Sequence, residues 1–455
     1  MKTNKSDKIA VLGFGMEGKD TVKYLLDQGF SDLTVFDRKP ENLLDVKEIN
    51  LSKAKFITGT DYLKNGLCEY KTIFRSPGVY RYTPEIIKAE ESGSEIKSNI
   101  KLFFEVFKGF TVGITGTKGK GTTSTLIYEI MKKSGKKVFL VGNIGSPPLT
   151  ILDSTDKKSI VVLELSSFQL IDLKSSPNIA VVLNITADHL DWHKNRQEYL
   201  EAKRNIVLHQ KKEDFKVVNF DYESSRSFIN LSPSINYYFS SKKKITGVYV
   251  KDGYIYSNMG GKILKIGQTD RLLLRGHHNW ENVCAAICAS QLAGGDVNSI
   301  RKTVYSFKGL EHRLELVRNL KGIKYYNDSF STNPQTTMAA VDSFTEPITL
   351  ILGGYDKGLK FEEMIKHLCV KNNLPNIILI GNVENMLYAM LIRYGFRGGI
   401  YRMAKSDMVK IVKQSNKITK VGGVVLLSPA CASFDMFKDY KDRGNQFKDA
   451  VNFLS

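Results

Sequence analysis

Between an apolar run at residues 110–115 and a helix-forming stretch at residues 122–134, the chain reads GTKGKGTT, which sets Gly116, Thr117, Lys118, Gly119, Lys120, Gly121, Thr122 and Thr123 in one loop. Small residues let backbone N–H groups close around phosphate oxygens, the helix that follows favours an anion at its start, and Lys120 can reach terminal phosphates. The spacing departs from GxxxxGK[ST], and Gly121 stands where a hydroxyl that holds magnesium is usual, so Thr122 or Thr123 has to supply that oxygen. A second glycine pattern, GFGMEG, places Gly13, Gly15 and Gly18 after the apolar run IAVL, with Asp37 closing the next run, LTVFD. Three readings suit it equally: a nicotinamide dinucleotide site, another diphosphate site, or a tight turn.

Two further apolar runs end in groups with chemistry. SIVVLEL carries Glu164, and IAVVLNITADHLDWH carries Asp188, His189, Asp191 and His193. Strand ends in open α/β sheets face the ligand crevice, carboxylate oxygens suit Mg²⁺, and imidazole also suits a transition metal, so Glu164 and His189 beside the phosphate loop are expected to bind metal. Lys203, in EYLEAKRNI, reads on physical grounds alone as an exposed lysine on an amphipathic helix. GHHNWEN, LEHRLE, NDSFSTNP, GGYDK and SPACAS add amides, arginine, hydroxyls and lysine, able to hold a base, a ribose, phosphates and a small acid or merely to cap loops.

The elements that must position these groups alternate apolar runs with helical stretches three times along 455 residues, which is the signature of α/β domains with largely parallel sheets. The expected division is 1–107, 108–309 and 310–455: a Rossmann-like domain, a P-loop ATPase-like α/β domain, and a second Rossmann-like domain. Residues 215–270 change to short alternating segments, expected as an antiparallel patch on the central domain. Apolar residues at 42% and charged residues at 25% exclude a disordered or fibrous chain. With 66 Lys and Arg against 47 Asp and Glu the formal charge is +19, which attracts polyanions but is spread in short runs. Five cysteines form no CxxC pair, and no run approaches about 18 apolar residues, so a reduced, soluble, cytoplasmic protein is expected.

Taken in order, GNIG from Gly142, LELSSFQL, DHLDWH, LEHRLE, NDSFSTNP and SPACASFDMFKDYKDRGNQF resemble the Mur ligase family over nearly the whole chain, and within it the members that add D-glutamate to UDP-N-acetylmuramoyl-L-alanine. The resemblance implies three domains, for UDP-sugar, ATP and amino acid, and a cytoplasmic step of peptidoglycan precursor synthesis. It turns GFGMEG from a nicotinamide site into a UDP site, with Gly15, Met16, Glu17, Asp37, Arg38 and Ser76 on the nucleotide and Asn143 and His189 toward the muramoyl end. It assigns Asn279 and Asn282 to adenine, Arg313 and Asp328 to the ribose and phosphates, and Thr332, Lys357, Ser433 and Tyr440 to D-glutamate. Lys203 becomes an N-carbamylated lysine that, with Glu164, His189 and Thr122, holds Mg²⁺, two ions being expected.

The implied reaction makes an amide at the expense of ATP. A carboxylate is a poor electrophile, so it first takes the γ-phosphoryl group to give an acyl phosphate, which the neutral amine of D-glutamate then attacks. Lys120 and Mg²⁺ neutralise the moving charge. One departure from the family pattern is Phe330, where DSKATN versions of the motif carry lysine. The competing readings are a Mur-type or folylpolyglutamate-type ligase for another substrate and, from a different class, a nucleic-acid-stimulated ATPase, for which no stacking-aromatic motif is present. A monomer without membrane or nucleic-acid partners is expected.

Overall fold

The computed structural model describes residues 4–44, 54–64, 66–186, 189, 192–274 and 276–455. It divides into two compact units, residues 1–271 with 280–305, and residues 272–279 with 306–455.

The first unit contains two sheets. One has five parallel strands in the order Ala54–Thr58, Leu33–Asp37, Ile9–Leu12, Thr72–Arg75, Glu95–Lys97. The strand order reverses beside Ile9–Leu12, which opens a crevice at the strand ends where Gly13 begins its turn. The second sheet has nine strands, and third from one edge Phe110–Thr115 lies between Ile160–Glu164 and Ile179–Val182. These three strands are β-branched and buried on both faces, as the unbroken apolar runs require. Antiparallel pairing is narrower than the sequence suggests. Phe215–Asn219 and Ile235–Ser240 extend the parallel sheet, and only Gly247–Lys251, Tyr254–Met259 and Lys262–Gln268 form the antiparallel ribbon.

The two sheets share a continuous apolar core, and buried polar groups fix their register. Arg75 is fully buried; its guanidinium donates to Asp172 through Nε at 3.3 Å and Nη2 at 3.2 Å, and to the carbonyls of Ser76, Val79 and Phe168. Asp20 accepts from the Leu149 N–H at 2.9 Å and the Thr150 hydroxyl at 2.6 Å. Gln169 closes a capping box with Ser166 through its carbonyl and donates through Nε2 to Glu17 Oε1 at 2.5 Å.

The second unit is built on six strands in the order Glu315–Leu320, Ile323–Asn327, Val424–Leu427, Ile348–Gly353, Asn376–Ile380, Gly399–Arg402, all parallel except the first pair. Three neighbouring strands, ending at Asn327, Leu427 and Gly353, deliver NDSFSTNP, SPACAS and GGYDK to one rim. Among the described residues no helix is long and apolar enough to cross a membrane, and the five cysteines are unpaired.

The Glu17 carboxyl group is enclosed, with Oε2 lacking a hydrogen-bond partner, and burial pushes its pKa up to about 7. The native state therefore holds a proton that the unfolded chain has released, so stability falls as pH rises from about 4.5 to about 7, by up to roughly 3 kcal/mol. Glu17→Gln keeps an acceptor for Gln169 and removes the charge. Thermal unfolding across this pH range should show a steeper fall in the parent than in the variant, whose remaining slope comes from other shifted groups such as Asp328, with a higher Tm at pH 8 in the variant; parallel slopes would contradict the assignment.

Candidate active site

The phosphate loop grows out of the strand Phe110–Thr115. Gly119 adopts φ +87 and caps the helix Lys120–Lys133. A Cβ on Gly119 would collide with Asn282 Oδ1, and one on Gly116 with Leu183, so both positions need glycine for close approach as well as for the turn. Two lysines converge on one oxygen of this loop: the Gly116 carbonyl accepts from Lys120 Nζ at 2.9 Å and from Lys203 Nζ at 3.0 Å. Lys203 also lies 3.3 Å from Thr115 Oγ1 and stands over the Tyr199 ring at 4.7 Å. It is only 1% exposed, contrary to the surface position that helix periodicity alone gives it.

Beside the loop, Glu164 ends the neighbouring strand and is buried. Its Oε1 accepts from Asn143 Nδ2 at 2.9 Å, and its Oε2 has no hydrogen-bond partner. Gly142, at φ +102, lets the GNIG turn approach this strand closely enough for that contact. A buried, half-satisfied carboxylate beside a phosphate loop fits a hard divalent cation, and Mg²⁺ bound there would supply Lewis-acid neutralisation of phosphate oxygens. Of the two candidate hydroxyls, Thr123 is fully buried with Oγ1 3.5 Å from Asn282 Oδ1, while Thr122 is half-buried on the first helical turn. Among the described residues no group of three His, Cys, Asp or Glu side chains is arranged to hold a metal.

His189 is exposed, has a left-handed backbone at φ +53, and meets Phe168 edge-on at 4.8 Å. Asp188 and Asp191 lie outside the described residues. His193 is a packing residue: it is buried between Glu198 Oε1 at 3.1 Å and Ser167 Oγ at 2.9 Å, and burial lowers its pKa.

At the five-stranded sheet, Gly15, Met16 and Arg38 are exposed around the glycine turn. Asp37 accepts from the Phe14 N–H at 2.6 Å and the Lys39 N–H at 2.8 Å, and Ser76 Oγ donates to the Gly13 carbonyl at 2.7 Å. Both side chains thus shape the turn itself. Glu17, in contrast, directs its carboxylate toward Gln169.

In the second unit Asp328 is buried, and burial raises its pKa to about 6. Its oxygens accept from the Leu314 N–H at 3.1 Å and the Ser428 hydroxyl at 2.7 Å, so it clamps the segment that carries Arg313. Ser433 is buried, Thr332 and Tyr440 are half-buried, and Lys357 is exposed near Phe434. Asn279 and Asn282 are both buried on the helix His278–Leu292. Sequence reasoning missed Arg443. It is fully buried and binds the Ser329 hydroxyl and carbonyl and the Ala432 carbonyl, tying NDSFSTNP to SPACAS. An arginine followed by glycine is its only trace in the sequence, Gly444 being required because a Cβ would collide with His312.

A largely parallel sheet with an interior strand that runs into a glycine and lysine phosphate loop, beside a strand ending in a buried carboxylate, defines an α/β nucleotide-using enzyme. The chain belongs to the Mur ligase family. Residues 114–290 match the Mur ligase middle domain and residues 7–98 the MurD-like N-terminal domain of Mur ligases. The chain is 38% identical over 460 residues to the UDP-N-acetylmuramoylalanine--D-glutamate ligase of Acetivibrio thermocellus, covering 100% of this chain and 98% of that one. It is also 38% identical over 458 residues to the ligase of the same name from Clostridioides difficile, covering 99% of each. Among solved structures, the fold is similar to a pseudomurein peptide ligase type C from Methanothermus fervidus, with TM-score 0.58, 17% identity and coverage of 99% of this chain and 100% of that one. It is likewise similar to the UDP-N-acetylmuramate-alanine ligase MurC from Thermotoga maritima, with TM-score 0.58, 18% identity and coverage of 98% and 99%.

Glu164→Gln keeps the acceptor for Asn143 while removing the charge. We expect a Tm that changes little, because the buried charge is removed but an NH₂ group takes the place of the unpaired oxygen, together with ATP turnover reduced by roughly 100-fold and a raised Mg²⁺ requirement. A variant that lost stability and activity in parallel would make Glu164 a scaffold residue.

Proposed function

We propose that the chain ligates D-glutamate to UDP-N-acetylmuramoyl-L-alanine with ATP, as a cytoplasmic step in making the peptidoglycan precursor. The observation that carries this reading is similarity along the entire chain to ligases named for that reaction. The phosphate loop with its paired lysines and the half-satisfied Glu164 provide the chemistry that such a reaction needs.

In this reading residues 1–107 hold the UDP-sugar, 108–309 ATP and 310–455 the amino acid. Gly15, Met16, Arg38 and the turn shaped by Asp37 and Ser76 receive the uridine diphosphate, and Asn143 and His189 lie toward the muramoyl group. The substrate carboxylate attacks the γ-phosphorus and ADP leaves; the amine of D-glutamate then attacks the acyl carbon and orthophosphate leaves. Residues 116–123 cradle the phosphates, and Lys120 follows the charge as it moves to the leaving oxygen. Asn279 and Asn282 serve adenine, and Arg313 the phosphates. Thr332, Lys357, Ser433 and Tyr440 serve the D-glutamate carboxylates, for which a lysine and hydroxyl donors suit a dicarboxylic acid.

Lys203 is proposed to carry a carbamate. Its amine shares an acceptor with Lys120 beside the phosphates, and CO₂ converts it from a cation into an anionic oxygen ligand that, with Glu164, His189 and Thr122, suits a second Mg²⁺. A protein acting as a monomer completes the reading.

Orthophosphate release with UDP-N-acetylmuramoyl-L-alanine and a panel of amino acids tests the function: D-glutamate should be the preferred acceptor, and preference for L-alanine, lysine or diaminopimelate would replace it. Lys120→Ala should reduce turnover by at least about 100-fold with the fold intact. Labelled bicarbonate should give a carbamate ¹³C resonance that Lys203→Ala removes; an unchanged spectrum would leave Lys203 an ammonium.

A further inference from the structure

Arg313 sits in an unusual backbone setting. The residues on both sides of it are left-handed without being glycine, His312 at φ +63 and Leu314 at φ +45. Such conformations persist only where the surroundings over-determine them. Here the His312 N–H donates to Glu315 Oε2 at 2.9 Å, the Leu314 N–H to Asp328 Oδ1 at 3.1 Å, and the Arg313 N–H to the Leu310 carbonyl at 3.1 Å.

The guanidinium is placed just as closely. Its central carbon lies 3.7 Å from the centroid of the Phe330 ring, a stacking distance. Phe330 is itself fixed: its N–H donates to the His312 carbonyl at 3.0 Å, and its ring meets Tyr440 edge-on at 5.2 Å and 90°. The preceding residue, Ser329, is held by Arg443 and donates to the Tyr440 carbonyl at 2.7 Å. A guanidinium stacked on an aromatic face offers only its flat side to the ring; its N–H groups point outward in the plane, where phosphate oxygens bind.

We infer that Phe330 is a positioning residue for ATP use, an aromatic platform that holds the Arg313 guanidinium with its N–H edge presented to phosphate. The inference rests on the reading of Arg313 as a phosphate ligand and adds to it the group that orients it. A lysine at position 330 would do the opposite, setting a like charge against the guanidinium. Tyr440 then acts at second hand, bracing the platform.

Steady-state kinetics of the full chain test this, with ATP varied at saturating UDP-N-acetylmuramoyl-L-alanine and D-glutamate. Phe330 is 38% exposed, so replacements there spare the core. Phe330→Leu should raise the KM for ATP by about 2- to 10-fold with Tm unchanged, Phe330→Trp should restore it, and Phe330→Lys should raise it further. In an Arg313→Ala background, Phe330→Leu should have no additional effect. An unchanged KM for ATP in Phe330→Leu, or an equal penalty with and without Arg313, overturns the platform. If Arg313→Ala by itself leaves ATP kinetics intact, the assignment of Arg313 to phosphate fails and the platform fails with it.

Discussion

Two lysine side chains donating to the single carbonyl of Gly116 set the terms for the first unit. Bringing both ammonium groups to one oxygen concentrates positive charge at the end of a parallel strand, where the following helix adds its own positive pole. The geometry that permits it is exacting. Gly116 must lack a Cβ to pass Leu183, Gly119 must turn left-handed against Asn282, and the helix Arg196–Leu208 must pack closely enough to bury Lys203 beneath the loop. A site with this charge favours polyphosphate.

What could be read from the sequence follows from how local each requirement is. Glycine positions were legible because a turn and a close approach leave no other residue type, and the buried parallel strands were legible as unbroken apolar runs. Lys203 was not, because helix periodicity describes a helix against an average core and says nothing of a cavity beneath it; family resemblance supplied that residue, and the structure shows it enclosed. Arg75 and Arg443 were missed for a related reason. In a chain of net charge +19, a fully buried arginine looks like any surface one until the carbonyls that surround it are known. The extent of the antiparallel ribbon was overdrawn because Ile235–Ser240 alternates in sequence yet pairs in parallel with Phe215–Asn219. Burial changes along this strand, from an exposed Ile235 through three half-buried residues to buried Phe239 and Ser240, rather than between its faces, so its pattern carried no information on pairing.

The second unit orders its rim by another means. Asp328 spends both oxygens on Leu314 and Ser428, and Arg443 spends its donors on Ser329 and Ala432, so the loops after Asn327 and Leu427 and the segment before Glu315 are laced together before any ligand is considered. Left-handed backbone at His312 and Leu314 costs on the order of 1 kcal/mol or more at each residue, and this lacing holds it in place. The residue between them is therefore presented on a rigid mount.

Buried ionic groups in this molecule divide by whether their hydrogen-bonding capacity is filled. Arg75 and Arg443 have partners around the guanidinium and are internal scaffolding, since an ion so satisfied has little left to offer a ligand. Glu17 and Glu164 each keep one enclosed oxygen without a partner. Glu17 resolves the cost by retaining a proton up to about pH 7, within a contact that joins two sheets of one unit. Glu164 differs in its place, at the end of the strand adjoining the one that runs into the phosphate loop, where Asn143 orients one oxygen and leaves the other without a partner. An unfilled valence there is a local cost to folding of the kind a bound cation can offset. Position beside the phosphate loop, rather than burial or unsatisfied polarity, which the two share, is what separates Glu164 from Glu17.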